Sequence, residues 1–266
     1  MLDRFDRTIN YLRISVTDRC NLRCRYCMPE EGIKLLRHEA ILSFDEIAGF
    51  TEVAVRHGVN KVRITGGEPL VRRGIVTLVK MIAGIEGIND LSMTTNGVLL
   101  KDFAEDLKTA GLHRINISLD TTDPERFAYI TRGGNVKDVF EGIAAAKRAG
   151  LLPVKINCVV KASNDEEDAR QITDLCLKEG LEIRYIQQMD LVKGHFSTVD
   201  GGTGGNCILC NRLRLTANGK LRPCLFNDLE FDIRELGYEE AFMKAVELKP
   251  ECGSKNMTGN FYNIGG

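Results

Sequence analysis

Apolar and β-branched residues concentrate in six short segments of the chain, and this composition is typical of β-strands. The segments are YLRISV (11–16), KVRIT (61–65), DLSMTTN (90–96), HRINISLD (113–120), PVKINCVV (153–160) and LEIRYIQQ (181–188). Polar and glycine-containing stretches bound each of them. We therefore predict six strands, all of them before residue 189.

Stretches with apolar residues at helical spacing separate these strands. The clearest one begins at Ser43, which can form a capping box with Glu46. Ser163 and Glu166 repeat this pattern and predict a helix that runs to about residue 180. Asn135 is a good capping residue for a third helix. The chain therefore alternates strand and helix.

Strand and helix alternation with short connections indicates right-handed βαβ units and a parallel sheet. A closed (β/α)8 barrel needs about 250 residues and eight units, whereas the alternation here stops near residue 188. We predict an α/β fold in which residues 1–188 form an open, partial (β/α)6 TIM-like barrel. Residues 189–266, with the glycine-rich connector VDGGTGGNC (199–207) and a short helix around 237–247, are predicted to form a C-terminal extension.

Composition and charge exclude several classes of protein. The 266 residues are 43% hydrophobic, enough for one domain with or without an appendage. Lys and Arg number 36 against 37 Asp and Glu, so the chain lacks the overall positive charge of a nucleic-acid-binding protein. It also lacks the apolar run of a signal peptide or a membrane span. We expect a cytoplasmic protein that binds anions only locally, and the sequence leaves its oligomeric state open.

The nine cysteines fall into two groups and three single residues. The N-terminal cysteine group is Cys20, Cys24 and Cys27, and the C-terminal cysteine group is Cys207, Cys210 and Cys224. An odd number of cysteines in a cytoplasmic protein argues against a disulfide framework. We interpret the remaining three, Cys158, Cys176 and Cys252, as isolated small apolar side chains or incidental thiols.

The N-terminal cysteine group directly follows the first strand, at the face of a parallel barrel where active sites collect. Three thiolates bound to a [4Fe–4S] cluster leave one iron without a protein ligand, and that iron can bind substrate. The alternative is a zinc site with His38 as a distant fourth ligand. Zinc sites usually pair two Cys-x2-Cys hooks, whereas this triplet has x3 and x2 spacing, so the cluster is favoured.

The spacing Cys-x3-Cys-x-Tyr-Cys, which includes Tyr26, resembles the signature of radical S-adenosylmethionine (SAM) enzymes. The resemblance implies that SAM chelates the open iron and that one electron splits it to a 5′-deoxyadenosyl radical, which abstracts hydrogen from a substrate. It also implies SAM contacts at Tyr26, at Gly67 of the TGGEP segment (65–69), at Ser118 and at Met189. Glu68 of the same segment is suited to face an ammonium group.

The C-terminal cysteine group, with Cys-x2-Cys-x13-Cys spacing, resembles the second cluster site of the MoaA-like family, the GTP 3′,8-cyclases of molybdenum cofactor biosynthesis. The resemblance implies a second [4Fe–4S] cluster whose open iron binds guanine, and a Gly265–Gly266 tail that reaches toward the active site. Basic residues suit the phosphates. The positions that correspond to substrate contacts are Arg13, Arg63, Thr94, Lys155, Arg212, Leu213 and Arg214.

One departure from this family lies between Met189 and Cys207, where the chain has 17 residues and the cyclases have several tens more. We predict a radical SAM enzyme with two clusters that abstracts a ribose hydrogen from GTP, or acts on another small anionic substrate, and that needs an electron donor. One alternative is an enzyme that modifies a peptide or small molecule with an auxiliary cluster. Another is a non-catalytic metal- or nucleotide-binding protein.

Overall fold

A computed structural model describes residues 1–258 and 264, and within them the strands form one sheet. The strands are β1 (Tyr11–Ser15), β2 (Lys61–Thr65), β3 (Asp90–Thr95), β4 (Arg114–Ser118), β5 (Lys155–Val160), β6 (Glu182–Gln187), β7 (Arg212–Leu215), β8 (Lys220–Arg222) and β9 (Phe231–Asp232). The α-helices of the described residues are α1 (Phe44–Arg56), α2 (Ile75–Ala83), α3 (Leu100–Thr109), α4 (Pro124–Thr131), α5 (Val136–Arg148), α6 (Glu167–Glu179) and α7 (Tyr238–Glu247).

The six predicted strands are confirmed as β1 to β6, each within two residues of its predicted limits. They lie side by side in chain order and pair in parallel. Helices connect them, as right-handed βαβ units require. Because β6 lies at one edge of the sheet, the barrel is open. The predicted partial (β/α)6 barrel is thus the fold of this chain.

Side chains of the strands alternate between an apolar face and a polar face. In β1, Leu12 and Ile14 are fully buried in the core against the helices. Tyr11 and Arg13 point to the opposite face and line a cavity inside the barrel. Because the same alternation recurs in the neighbouring strands, the interior of the barrel is polar while its helical layer is apolar.

Two of the predicted helix starts are confirmed. The Ser43 hydroxyl accepts a hydrogen bond from the Glu46 amide (3.2 Å), and the Glu46 carboxylate accepts one from the Ser43 amide (2.7 Å), which completes the capping box of α1. Asn135 caps α5 by accepting from the Lys137 amide (3.1 Å). Within residues 1–258 and 264, no helix is both long and apolar enough to cross a bilayer.

The predicted start of α6 at Ser163 is wrong, because the helix begins at Glu167. The Glu166 carboxylate folds back and accepts hydrogen bonds from the Lys161 and Ala162 amides (2.8 and 2.7 Å). The Ser163 hydroxyl accepts from the Asp165 amide instead of capping a helix. These bonds stabilise a turn that delays the helix.

The segment after residue 188 extends the same sheet. β7 pairs in parallel with β1 on the side opposite β2, and β8 and β9 continue antiparallel from it. The predicted short helix near 237–247 is confirmed as α7, which packs against α1. The division of the chain at 188 stays a prediction, while the sequence analysis assigned none of these three strands.

Helices α3 and α5 pack closely because Gly142 has no side chain. A Cβ atom at position 142 would lie 2.4 Å from the Gly97 carbonyl oxygen and 3.1 Å from the Leu100 Cβ. Such a contact forces α5 away from the loop before α3. Packing therefore opposes helix propensity at this position.

We predict that Gly142→Ala lowers the free energy of unfolding by about 1–3 kcal/mol through overpacking, although Gly→Ala inside a helix alone would add roughly 0.5–1 kcal/mol. The exposed Ala144→Gly on the same helix is the control and should lose only that propensity difference. Urea unfolding followed by circular dichroism measures both. A more stable Gly142→Ala variant would show that α5 does not rest on Gly97.

Candidate active site

The loop after β1 presents the N-terminal cysteine group to a cavity of about 210 Å³ at the carboxyl ends of the strands. This loop is tied to the loop after β2 by two backbone hydrogen bonds, from the Gly67 amide to the Thr17 carbonyl (2.7 Å) and from the Glu68 amide to the Arg19 carbonyl (2.8 Å). A Cβ atom at Gly67 would lie 2.3 Å from the Arg19 oxygen. Glycine is therefore required for the two loops to meet. We call this space the first cavity.

The Glu68 carboxylate is buried beneath these loops and lines the first cavity. It accepts hydrogen bonds from the Leu70 amide (3.0 Å), the Thr95 hydroxyl (2.7 Å) and the Asn96 amide (2.7 Å). Burial raises the pKa of Glu68 to about 7, because its effect exceeds that of the three hydrogen bonds, which lower the pKa. Because a carboxylate has about four lone-pair sites, little acceptor capacity is left for an ammonium group.

The thiols of the N-terminal cysteine group repel one another when ionised. Burial raises the pKa of Cys20, Cys24 and Cys27, and nearby thiolates raise it further for the latter two, to about 12 for Cys27. Ionising all three therefore requires positive charge between them, which the iron of a cluster supplies. The donor set thus fits a thiolate-bound cluster.

Tyr26 is held against the wall of the first cavity by Asp120. The Tyr26 hydroxyl donates to one Asp120 carboxylate oxygen (2.8 Å), and the Val159 amide donates to the other (2.9 Å). Burial raises the pKa of Asp120 to about 6. Because the Tyr26 hydroxyl is hydrogen-bonded to Asp120, a ligand in the first cavity can contact Tyr26 through its ring.

All four residues predicted to contact SAM line the first cavity together with the cysteines. Thr94 also lines this cavity, and its buried hydroxyl has no hydrogen-bond partner within residues 1–258 and 264. A buried hydroxyl without a partner costs free energy unless a ligand or water satisfies it. The first cavity therefore fits a polar ligand beside the cysteines.

A second cavity of about 330 Å³ lies inside the barrel and carries a strong positive charge. Its basic side chains are Arg13, Lys61, Arg63, Arg114, Arg184, Arg212 and Arg214. Asp90 is the one carboxylate among its described lining residues, and it binds Arg114 through two hydrogen bonds (3.0 and 2.6 Å). We call this space the cationic cavity. The C-terminal cysteine group also lines it.

Three of these arginines stand in register on neighbouring strands. Arg13 of β1 pairs with Arg63 of β2 on one side and with Arg214 of β7 on the other. Burial and the neighbouring guanidinium groups lower the pKa of Arg13 and that of Arg214, the latter to about 10. Since these shifts disfavour the charged forms, a bound anion would relieve the repulsion.

The two cavities adjoin. Asn157, Ile186 and Met189 line both of them, so no further layer of residues separates the spaces at that point. Asn157 lies at mid-strand on β5 and Ile186 near the end of β6. A ligand in the cationic cavity can therefore contact a ligand in the first cavity.

Three predicted substrate contacts are not placed in the cationic cavity. Lys155 lies outside both cavities because its ammonium group pairs with Glu182 on the adjacent strand. The Leu213 side chain is fully buried in the hydrophobic core, since it alternates with the two arginines of β7. Thr94 lines the first cavity instead. The Gly265–Gly266 tail lies outside the described residues.

The sequence analysis missed Tyr11, Lys61, Arg114, Asn157 and Arg184, which also line the cationic cavity. A signal for part of this set exists in the sequence. An arginine is the third residue of β1, β2, β6 and β7, and it follows an apolar residue each time. Arginine repeated at one strand position, on the face opposite the apolar residues, indicates a charged barrel interior.

The interpretation of Cys252 as an isolated thiol is wrong, because its Sγ atom lies 3.0 Å from that of Cys207. Cys158 and Cys176, by contrast, are buried in the core as predicted. Within residues 1–258 and 264, no three His, Cys, Asp or Glu side chains are arranged to hold a single metal ion. Cluster thiolates each bind a different iron, so their spacing is wider than that of a single-ion site.

Residues 14–176 match the family model of the radical SAM superfamily, so the chain belongs to this superfamily and is a radical SAM enzyme. It is 44% identical to the GTP 3′,8-cyclase of Thermodesulfovibrio yellowstonii over 96% of both chains. It is 43% identical to that of Moorella thermoacetica over 94% of both chains. Within the superfamily it therefore belongs to the MoaA-like family. The first alignment runs over 310 residues, so the relative has several tens of residues that this chain lacks.

Solved structures show the same fold. Native anSMEcpe with bound AdoMet superposes with a TM-score of 0.63 at 14% identity, covering 91% of this chain and 81% of that chain. SuiB of Streptococcus suis bound to S-adenosylmethionine gives 0.55 at 19% identity, covering 69% and 41%. At such low identity the likeness concerns the fold alone. The superfamily implies one [4Fe–4S] cluster and SAM as cofactors.

We predict that Cys24→Ala abolishes reductive cleavage of SAM, because the cluster of the first cavity loses a thiolate ligand. The buried and remote Cys176→Ala is the control and should cleave SAM at the wild-type rate. The measurement is 5′-deoxyadenosine formed per chain after anaerobic reconstitution and dithionite reduction. Wild-type cleavage by Cys24→Ala would remove the N-terminal cysteine group as the cluster site.

Proposed function

We propose that this chain is a GTP 3′,8-cyclase that holds two [4Fe–4S] clusters and acts in molybdenum cofactor biosynthesis. The observation that carries the proposal is the cationic cavity, which directly adjoins the cavity of the N-terminal cysteine group. Seven basic side chains around one carboxylate suit a polyphosphate ligand. The name of its relatives supports GTP as that ligand.

The first cavity would hold the cluster on its three cysteines and SAM between Gly67, Ser118 and Met189. When bound there, the cluster and SAM would supply the chemistry of hydrogen abstraction, for which the ribose of GTP is the proposed target and guanine C8 the proposed site of cyclisation. The protein orients the reactants. Asn157 and Met189 line both cavities and would therefore lie where ribose and SAM meet.

The C-terminal cysteine group would hold the second cluster. Lys249 fixes the backbone beside Cys210 and Cys224. Its buried ammonium group donates to the carbonyls of Arg212 and Pro223 (2.8 and 2.5 Å). The charge of Lys249 helps to lower the pKa of Cys210, against the effect of burial. A thiolate is the form that binds iron, so this cationic surrounding fits a cluster.

The arginines of the cationic cavity would bind the triphosphate. Arg212 is oriented by a hydrogen bond from Nη2 to the Thr203 hydroxyl (2.7 Å), and Arg63 by one from Nε to the Ser92 hydroxyl (3.3 Å). Planar guanidinium groups can then bind phosphate oxygens in a bidentate manner. In this proposal residues 1–188 supply the radical SAM core, and residues 189–266 supply the second cluster site.

Reconstituted protein incubated with SAM, dithionite and GTP tests the function. Dithionite stands for the one-electron donor that the reaction needs. We expect 5′-deoxyadenosine, methionine and a cyclised nucleotide by mass spectrometry, and GTP deuterated on its ribose should pass deuterium to 5′-deoxyadenosine. SAM cleavage without label transfer or nucleotide product would assign the chain to another substrate.

We predict that Cys210→Ala keeps SAM cleavage but forms no cyclised nucleotide, because radical generation and substrate anchoring depend on different cysteine groups. Iron analysis should show the loss of one cluster. Cys176→Ala serves again as the control for removal of a thiol. If the cyclised product persisted at wild-type yield, the C-terminal cysteine group would have no role in anchoring the substrate.

We predict that Arg212→Ala with Arg214→Ala weakens GTP binding at least about tenfold, since each charge-assisted hydrogen bond contributes roughly 1.5–3 kcal/mol. The exposed Arg148→Ala is the control for loss of positive charge. Equilibrium dialysis at matched iron content gives the affinities. Equal affinity in the double variant would exclude these arginines from the binding site, and no binding by the wild type would exclude GTP as the ligand.

A further inference from the structure

One buried arginine joins the loop of Cys207 to the loop that carries Cys252. Arg7 is 7% exposed, and its Nη1 donates to the carbonyls of Cys207 (2.9 Å) and Glu251 (2.7 Å). Its orientation is fixed by Asp3, which accepts a hydrogen bond from Nε (2.7 Å). The backbone of Cys207 and that of the residue before Cys252 are thus held by the same side chain.

A second anchor fixes the other side of Cys252. The Ser254 amide donates to the carbonyl of Phe226 (2.8 Å), so the segment is also tied down two residues further along the chain. Cys252 itself is exposed. Its backbone is therefore held in place, while its thiol can meet small molecules from solvent.

These anchors bring two thiols together. Cys252 Sγ lies 3.0 Å from Cys207 Sγ, about 1 Å longer than the roughly 2.05 Å bond of a disulfide. Both cysteines are free in this structure. The exposed side chain of Cys252 has room to close that gap while the anchored backbone stays where it is. We propose that Cys207 and Cys252 are a modification site, at which the two thiols form a reversible disulfide whenever the C-terminal cluster is absent.

The reaction is a thiol–disulfide exchange with a low-molecular-weight disulfide, for which glutathione disulfide is the model. The exposed Cys252 thiolate attacks one sulfur of this oxidant, and the first glutathione leaves. The Cys207 thiolate then attacks the Cys252 sulfur of the mixed disulfide, and the second glutathione leaves. Two protein thiols are oxidised to one disulfide, one glutathione disulfide is reduced, and the two protons end on the two glutathione thiols.

The disulfide and the C-terminal cluster exclude each other. A cluster needs Cys207 as a thiolate, and a sulfur in a disulfide is not one. A disulfide is reversible, whereas the sulfonic acid of an overoxidised thiol is not. The pair therefore preserves a cluster ligand through an oxidising episode and returns it on reduction. This consequence, unlike the bond itself, rests on the second cluster of the proposed function.

Peptide mapping of the full-length, cluster-free chain tests the bond. Iron is removed with a chelator, the protein is equilibrated with glutathione disulfide, and free thiols are alkylated before tryptic digestion without reductant. We expect residues 194–212 linked to residues 245–255 as the main product that contains Cys252. Since the first peptide carries both Cys207 and Cys210, Cys210→Ser should keep the link and Cys207→Ser should abolish it. Cys252 recovered in alkylated form, with glutathione alone or linked to Cys224 would overturn the proposal.

A matched variant tests whether the contact decides the pairing. Cys252→Ser combined with Ser254→Cys moves the thiol by two residues and keeps it at an exposed position of the same segment. The linked peptide should fall at least about tenfold, because disulfides tolerate only a narrow range of sulfur and Cα positions. An equal yield would show that the pairing does not depend on the observed contact, and it would overturn the assignment of the site.

The loaded protein tests whether the bond and the cluster exclude each other. After anaerobic reconstitution and removal of reductant, glutathione disulfide should give less than about a tenth of the linked peptide found in the cluster-free chain, since iron-bound thiolates are not free to exchange. A chelator should restore the link. A thiol reductant with iron and sulfide should then return the iron of both clusters. Full linkage at undiminished iron content would overturn the exclusion.

Two outcomes separate this inference from the proposed function. A linked peptide from a chain whose iron content never exceeds one cluster, even after reduction, supports the bond but contradicts the second cluster. Two clusters in the reconstituted protein, without a linked peptide in the cluster-free chain, contradict the disulfide and support the proposed function.

Discussion

The parallel pairing of β1 with both β2 and β7 is the constraint on which the rest of the molecule depends. β1 leads directly into the loop of the N-terminal cysteine group, and β7 follows directly after Cys210 of the C-terminal group. Because β7 pairs in parallel with β1, the two cysteine groups lie at opposite ends of this strand pair and line adjoining cavities, although almost two hundred residues separate them in the sequence. A change in this pairing would disrupt the wall of the cationic cavity that Tyr11, Arg13, Arg212 and Arg214 form.

The same pairing places Arg13, Arg63 and Arg214 side by side, which opposes folding. The opposite face of these strands offsets the cost, since Leu12, Ile14 and the leucines of β7 are fully buried. The sheet therefore keeps a positively charged interior that is ready for an anion before the anion arrives. Preorganised charge of this kind needs no rearrangement when a ligand binds.

The local pattern of the sequence predicted β1 to β6 and the cysteine groups, because strand composition and ligand spacing are properties of neighbouring residues. It could also have excluded Leu213, which alternates with arginines in a strand. The local pattern could not have excluded Lys155 from the cationic cavity, because its ion pair with Glu182 depends on the register of β5 and β6. The contact between Cys252 and Cys207 could not be predicted either, because 45 residues separate them and the buried Arg7, far away in the sequence, donates hydrogen bonds to the carbonyls of Cys207 and Glu251. β8 and β9 are three and two residues long and too short for a distinct pattern.

The short connector between β6 and β7 determines the size of the cationic cavity. It folds back on β6 through the bridge between Tyr185 and Asp200, and Gly205 passes so close to Ser197 that a Cβ atom would lie 1.8 Å from its carbonyl oxygen. Thr203 on this connector binds Arg212. The resulting cavity of about 330 Å³ is near the lower end of the roughly 300–1,000 Å³ range of ligand pockets. In the proposed function, a connector this compact would restrict the substrate to one small anionic molecule, and that molecule would meet SAM at the shared wall of Asn157 and Met189.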